Sequence, residues 1–182
     1  MDETERPDGS APAHQKDGSS VPEHGRSFPQ EGLVSLNAVL TVTRPEATDR
    51  PAWESLFRAY IAFYERSEPQ AMYDRAWEEF THDNRLHALV AKVEGRLVGI
   101  VHFLEHPSTS SADVCYLQDL FTAPAARGQG VGRALIEAVA DHARTLGCAR
   151  VYWQTKVDNA VARRLYDGIT DDSSFVVYRL PL

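Results

Sequence analysis

Scarcity sets the first limits on this chain. Only two of its 182 residues are cysteine, Cys115 and Cys148. A disulfide-stapled scaffold is excluded, and the two thiols are expected to be free and buried in a reducing compartment. No apolar run reaches the ~18 residues that a membrane-spanning helix needs. The start of the chain has neither the basic nor the apolar region of a signal peptide, so a soluble, cytoplasmic protein with no membrane partner is expected. Basic charge is scarce as well: the net charge is −7, and Arg163-Arg164 is the only paired basic site in the second half. Together with aromatics that fall at core spacing, this argues against a nucleic-acid partner. No internal repeat is visible.

What is present divides the chain in two. Residues 1–36 are rich in Gly, Ser, Pro and charge, with seven acids against three bases and almost no large apolar side chain before Leu33. They are expected to form a disordered acidic tail. Residues 37–182 hold nearly all the core-forming groups and fit one domain of ordinary size.

Local patterns fill in that domain. Alternation from Ala38 to Arg44 predicts a first strand. Thr48, Asp49 and Pro51 open a helix that carries Trp53, Leu56, Phe57, Tyr60, Ile61 and Tyr64 on one face. Ser67-Glu68-Pro69-Gln70 reads as a capping box that starts a second helix through Met72, Tyr73, Ala76, Trp77 and Phe80. Residues 86–93 and 96–105, joined at Glu94-Gly95, predict a hairpin, which residues 113–122 extend to an antiparallel meander. A helix from Gly130 to Leu146 and a strand over 149–157, parallel to its predecessor, follow. A short helix over 159–168 and a last strand over 175–179 complete the chain.

The organising stretch is 115–136, CYLQDLFTAPAARGQGVGRALI, which reads as a strand, a glycine loop and a helix. Glycines allow close backbone approach, and the first helical turn leaves unpaired N–H groups and a partial positive charge facing the loop. The expected guest is an anion such as a pyrophosphate. A nucleotide P-loop would need Lys and Ser/Thr where Arg133 and Ala134 stand. A dinucleotide fold would need GxGxxG and an acid about 20 residues on, whereas the spacing here is Gly128-x-Gly130-x-Gly132 and the next strand ends in Lys156-Val157.

The remaining pattern, Arg-x-x-Gly-x-Gly at Arg127, Gly130 and Gly132, resembles the acetyl-coenzyme A loop of the GNAT superfamily of N-acetyltransferases. Downstream, VYWQTKVDNAVARRLYDGI is similar to the second cofactor segment of that family, and the likeness covers roughly residues 86–180. It implies a GNAT fold, an α/β (α+β) domain with a mixed, mostly antiparallel sheet of six or seven strands and helices on both faces. It also implies acetyl-coenzyme A as cofactor, held by Arg127, Gly128, Gln129, Gly130, Val131, Gly132 and Arg133. The pantetheine arm would run between the strands at 115–122 and 151–157, against backbone amides at Leu120, Phe121 and Thr122, with Asn159 bonding its amides.

Within that resemblance Tyr166 is the expected proton donor to the departing sulfur, and Asp119 the expected base, with Glu105, His102 or water as alternatives. Relatives that acetylate polyamines carry adjacent acids where this chain has Gln118-Asp119, and neighbours on a regular strand face opposite ways, so Asp119 does not simply replace an acid at 118. Tyr60, Tyr64, Tyr73, Trp77 and Gln118 are expected to line the acceptor side. The stretches YLQDLF, RGQGVGRALI and VYWQT look most like the histone and polyamine (diamine) acetyltransferase subgroup. The expected reaction is direct transfer in a ternary complex to a primary amine, either a small-molecule amine or a lysine side chain. An amino-acid or antibiotic N-acetyltransferase and a non-catalytic acyl-coenzyme A sensor are the alternatives. A homodimer is expected through the last strands. His102 and His106 do not converge in a strand and turn, nothing else has metal-ligand spacing, and no metal is expected.

Overall fold

A computed structural model describes residues 39–82, 86–171 and 175–182. The expected acidic tail, residues 1–36, lies outside the described residues. The elements run β1 (Leu40–Thr43), α1 (Arg50–Phe63), α2 (Gln70–Thr81), β2 (His87–Val93), β3 (Arg96–His106), β4 (Val114–Thr122), α3 (Val131–Thr145), β5 (Arg150–Tyr152) and α4 (Ala160–Tyr166). The strands lie in one sheet in sequence order, antiparallel from β1 to β4 and parallel between β4 and β5. Among the described residues no helix is long and apolar enough to cross a membrane.

Two cores sandwich the sheet. On one face α3 buries Val131, Leu135 and Val139 against Val101, Phe103, Cys115 and Leu117. On the other, α1 and α2 bury Trp53, Phe57, Ile61 and Tyr73 against Val90, Ile100 and Phe121. The helices follow from the predicted spacing, since Trp53, Phe57 and Ile61 recur every four residues and so share one stripe of α1. This is the expected mixed, mostly antiparallel sheet with helices on both faces, built among the described residues with five strands rather than six or seven.

Three local expectations come out differently. The capping box does not form at Ser67: α2 begins at Gln70 with Pro69 as its cap and no side-chain bond there. Reciprocal capping occurs instead at Glu46 and Asp49, ahead of α1, with the Glu46 N–H donating to Asp49 at 2.9 Å. Lys92 of β2 neutralises that buried carboxylate at 2.9 Å. The strand expected over 149–157 keeps only Arg150–Tyr152, because its ladder with β4 stops at Tyr116↔Tyr152. Residues 175–179 form no strand, and Phe175, Val176 and Tyr178 are exposed. They lack the ladder hydrogen bonds that would make a sixth strand.

α3 approaches the sheet closely at Gly99. A Cβ there would lie 2.7 Å from Val131 Cγ1 and 3.0 Å from Leu135 Cδ1, so a glycine on β3 is what lets α3 settle at this depth. Overpacking of this kind costs about 1–3 kcal/mol. Gly99→Val is expected to lower the stability measured by urea unfolding by that amount, and an unchanged midpoint would show that the helix does not press on the strand here.

Candidate active site

The glycine loop is built as its sequence predicts. After β4 a single 3-10 turn over Pro124–Ala126 leads to Arg127, and Gly130 caps α3 with φ of +81°. The first helical hydrogen bond runs from Ala134 N–H to Gly130 O, at 3.0 Å. The N–H groups of Val131, Gly132 and Arg133 therefore have no helical acceptor. A Cβ on Gly130 would meet nothing within 4 Å, so the space before these amides is open. The Arg127 side chain is exposed beside them, with Nε 3.4 Å from Thr122 O. The other loop side chains brace the scaffold: Gln129 donates to Ala125 O at 3.1 Å and Arg133 to Gly168 O at 3.3 Å. Open amides, the positive end of a fifteen-residue helix and one exposed guanidinium suit a diphosphate.

Beyond the loop lies a gap in the sheet. β4 is paired with β3 as far as Thr122, but with β5 only over Val114–Tyr116. On the gap side, Leu120, Phe121 and Thr122 thus present a strand edge with no ladder partner. Across it, Asn159 caps α4, accepting from Ala162 N–H at 3.3 Å while its Nδ2 donates to Thr155 at 3.1 Å. Tyr166, at the end of α4, packs edge-on to Trp153 with ring centroids 5.4 Å apart. Burial, and secondarily Tyr64, pushes its hydroxyl up to about 12. Tyr64, next to the end of α1, packs edge-on to Tyr60 with ring centroids 5.1 Å apart.

The third part of the site rests on a β-bulge. In the β3–β4 register His102 lies opposite Asp119 and Phe103 opposite Leu117, leaving Gln118 as the extra residue. The bulge reverses the alternation of the strand. Cys115 and Leu117 face α3, whereas Phe121 faces α1 and α2. Gln118 and Asp119 consequently border the same cleft, of about 120 Å³. This corrects the expectation, drawn from a regular strand, that the two side chains point to opposite faces.

Asp119 is held by His102. His102 is buried, and its Nε2 lies 2.9 Å from Trp53 Nε1. An indole N–H can only donate, so Nε2 accepts. The ring proton then sits on Nδ1, which donates to Asp119 Oδ2 at 3.0 Å. Phe80 stacks on the imidazole at 4.6 Å and Phe57 meets it edge-on at 4.7 Å. With both nitrogens engaged, His102 orients Asp119 and has no free nitrogen for a proton from outside. The Tyr60 hydroxyl lies beside Asp119 and is raised well above the usual phenol range, by burial first and the adjacent carboxylate second. Arg75 and Glu79 of α2 line the same cleft.

Among the residues expected to line the acceptor side, Tyr60, Tyr64 and Gln118 gather around Asp119. Tyr73 is buried in the core under α2, and Trp77 packs on Trp53 at 5.1 Å. Sequence reading passed over Trp53 as a partner for His102, and Arg75 and Glu79 as cleft residues. Even-numbered alternation along β3, with Ile100 and His102 both inward, could have signalled the histidine; nothing local marked its indole partner. Glu105 lies on the α3 side with His87 and His142. Cys115 is buried, its thiol pushed up to about 12 by burial and then by Glu105.

The acetyltransferase (GNAT) family model matches residues 53–168 of this chain. The chain belongs to that family. It is an acetyl-coenzyme A-dependent N-acetyltransferase, and the open glycine loop and the unpaired β4 edge are the features that fit its cofactor. The D-amino-acid N-acetyltransferase HPA3 of Saccharomyces cerevisiae is 32% identical over 154 residues, spanning 82% of this chain and 96% of that protein. The aminoglycoside N(6')-acetyltransferase type 1 of Stenotrophomonas maltophilia is 30% identical over 100 residues, 52% of this chain and 65% of that protein. The solved aminoglycoside N-acetyltransferase AAC(6')-Iy, in complex with coenzyme A, shares the fold, with a TM-score of 0.69 at 20% identity over 82% of this chain and all of that one.

A branched residue at the φ of Gly130 costs about 1–2 kcal/mol, and a Cβ would project into the space before the amides. Gly130→Val in this GNAT acetyltransferase is expected to weaken acetyl-coenzyme A binding about tenfold or more by calorimetry. Unchanged affinity would place the diphosphate elsewhere.

Proposed function

We propose that this GNAT acetyltransferase acylates the amino group of a small amino acid or a similarly zwitterionic amine. One observation carries the choice of acceptor: two acidic residues, Asp119 and Glu79, and one basic residue, Arg75, line a single cleft. An ammonium is attracted to the acids, and a carboxylate on the same small molecule to Arg75. A polyamine or an aminoglycoside brings no negative charge for that guanidinium. The similarity to a D-amino-acid N-acetyltransferase supports the same class. The second reading, a diamine or lysine side chain, draws on the same two carboxylates without using Arg75.

Acetyl-coenzyme A, when bound, supplies an activated acyl carbon and a thiol leaving group. In this proposal Val131, Gly132, Arg133 and Arg127 hold the diphosphate, Asn159 steadies the arm, and the free β4 edge at Leu120–Thr122 polarises the acyl carbonyl where negative charge develops. Asp119, fixed by His102, draws in the ammonium, orients the amine and passes its proton to water. Tyr166 bonds the sulfur. With its hydroxyl at about 12 and an ordinary thiol near 8.5, complete proton transfer would be uphill by roughly 3.5 pKa units, or ~5 kcal/mol. Tyr166 therefore acts by hydrogen bonding as charge builds on sulfur, and it stays protonated through the alkaline range in which the amine loses its proton. No cysteine nucleophile is used, since Cys115 is buried on the opposite face.

Thiol release with a panel of D- and L-amino acids, diamines, a lysine peptide and an aminoglycoside tests the acceptor. Amino acids are expected to give the highest kcat/KM. Arg75→Glu is expected to lower it about 10- to 100-fold for them, the worth of a charged hydrogen bond of ~1.5–3 kcal/mol, and to favour diamines. Diamines preferred by the unaltered protein would overturn the choice of class, and cofactor binding without release under any acceptor would favour the sensor. Tyr166→Phe is expected to cut kcat by about 100-fold, the effect of removing one hydrogen-bond donor to developing charge, with acetyl-coenzyme A affinity unchanged; a loss confined to affinity would remove Tyr166 from the transfer step.

A further inference from the structure

On the face of the sheet away from the acceptor cleft, three side chains from three elements converge. His87 opens β2, Glu105 lies near the end of β3 and His142 sits in the last turn of α3. Glu105 Oε2 is 2.9 Å from His87 Nε2, and Oε1 is 2.9 Å from His142 Nε2. One ligand atom from each lies within 4.8 Å of the others. We propose that His87, Glu105 and His142 form a binding site for a divalent transition-metal ion of the zinc type, completed by water.

The distances fit such an ion with little movement. Ligands at about 2.0–2.2 Å from a tetrahedral metal stand roughly 3.3–3.5 Å apart. Each imidazole nitrogen is already closer than that to its carboxylate oxygen, so small side-chain rotations bring the three atoms around one centre. The donor set of two imidazoles and one carboxylate suits Zn²⁺, Co²⁺ or Ni²⁺, and is poor for Mg²⁺ or Ca²⁺, which take oxygen. The ring of Phe103 flanks both histidines, with centroids at 5.4 Å from His87 and 5.1 Å from His142, and gives the site an apolar wall. The side chains are 16%, 18% and 25% exposed, which leaves an approach from solvent. An ion here would tie the C-terminal turn of α3 to β2 and β3. It would therefore stabilise the helix whose other end carries the glycine loop, and it takes no part in the transfer chemistry. Spacing along the chain did not predict a metal, because the three ligands are brought together only by sheet pairing and helix docking.

The test uses the full chain after chelator treatment, titrated with Zn²⁺ and Co²⁺ at neutral pH. Calorimetry is expected to show one ion per chain, and the unfolding midpoint is expected to rise by several degrees at a hundredfold excess over Kd. Glu105→Gln and His142→Asn should each weaken binding at least about tenfold. Mass-spectrometric mapping of histidine modification provides a readout that needs no variant: Zn²⁺ should protect His87 and His142 while leaving His82 and His106 reactive. Absence of heat and of a midpoint shift, equal binding in the variants, or protection confined to other histidines would overturn the site and leave the cluster as a hydrogen-bonded brace. Because the readouts are independent of turnover, their failure says nothing against the acceptor assigned above.

Discussion

β4 is hydrogen-bonded along nearly its whole length on one edge and for three residues on the other, and the site depends on that asymmetry. The shared ladder with β3 fixes the strand rigidly, so its free edge at Leu120–Thr122 is pre-formed and does not have to be cleared by the incoming ligand. A backbone edge in this state carries donors whose hydrogen bonds to water are replaceable at small cost. The same strand then turns into the glycine loop, and α3 leaves from that loop with three amides unused. One continuous stretch therefore offers a row of donors followed by an anion cradle, in the order that an extended ligand with a diphosphate tail requires.

The acceptor side is set by a different constraint, the burial of an imidazole. A buried polar group without partners costs several kcal/mol, and His102 avoids that cost because Trp53 and Asp119 satisfy both nitrogens. The arrangement has a consequence for the carboxylate. Asp119 is tied to a ring packed among Phe57, Phe80 and Trp53, so its position relative to the β4 edge is as fixed as the core itself. Precision of this kind matters when an amine must reach a carbon within a few tenths of an ångström. The bulge at Gln118 makes it possible, since without the extra residue Asp119 would face α3 and His102 would have a leucine or a glutamine across the ladder.

Much of this was legible in the residues, and the boundary is physical. The loop from Arg127 to Arg133, the cap at Asn159 and the placement of Tyr166 are local, written in glycine spacing and helix periodicity. The hairpin at Glu94-Gly95 and the aromatic stripe of α1 are local as well. The bulge was not legible, because no glycine or proline marks it and only the pairing with β3 decides which residue is extra. Nor were the partners of His102 and Glu105, which come from elements distant in sequence. The predicted last strand misled for a related reason: Phe175-Val176-Val177-Tyr178 has every strand preference, but a strand also needs a neighbour, and preference alone cannot supply one.

Placing the two polar clusters on opposite faces has a bearing on how the domain can change without losing activity. His102 and Glu105 are three apart on β3, so regular alternation sends them to opposite sides, one toward α1 and α2 and the other toward α3. Residues lining the proposed acceptor cleft, such as Arg75 and Glu79, come from α2, which packs on the face of the sheet opposite α3. In the proposed acceptor assignment, substitution there would alter which amine fits while β4, the loop and Tyr166 stay in place. Changes around His87, Glu105 and His142 act on how firmly α3 is held and leave the cleft as it is. In the proposed assignment, acceptor choice and scaffold stability would thus fall to separate layers of side chains, on opposite faces of β3 and β4.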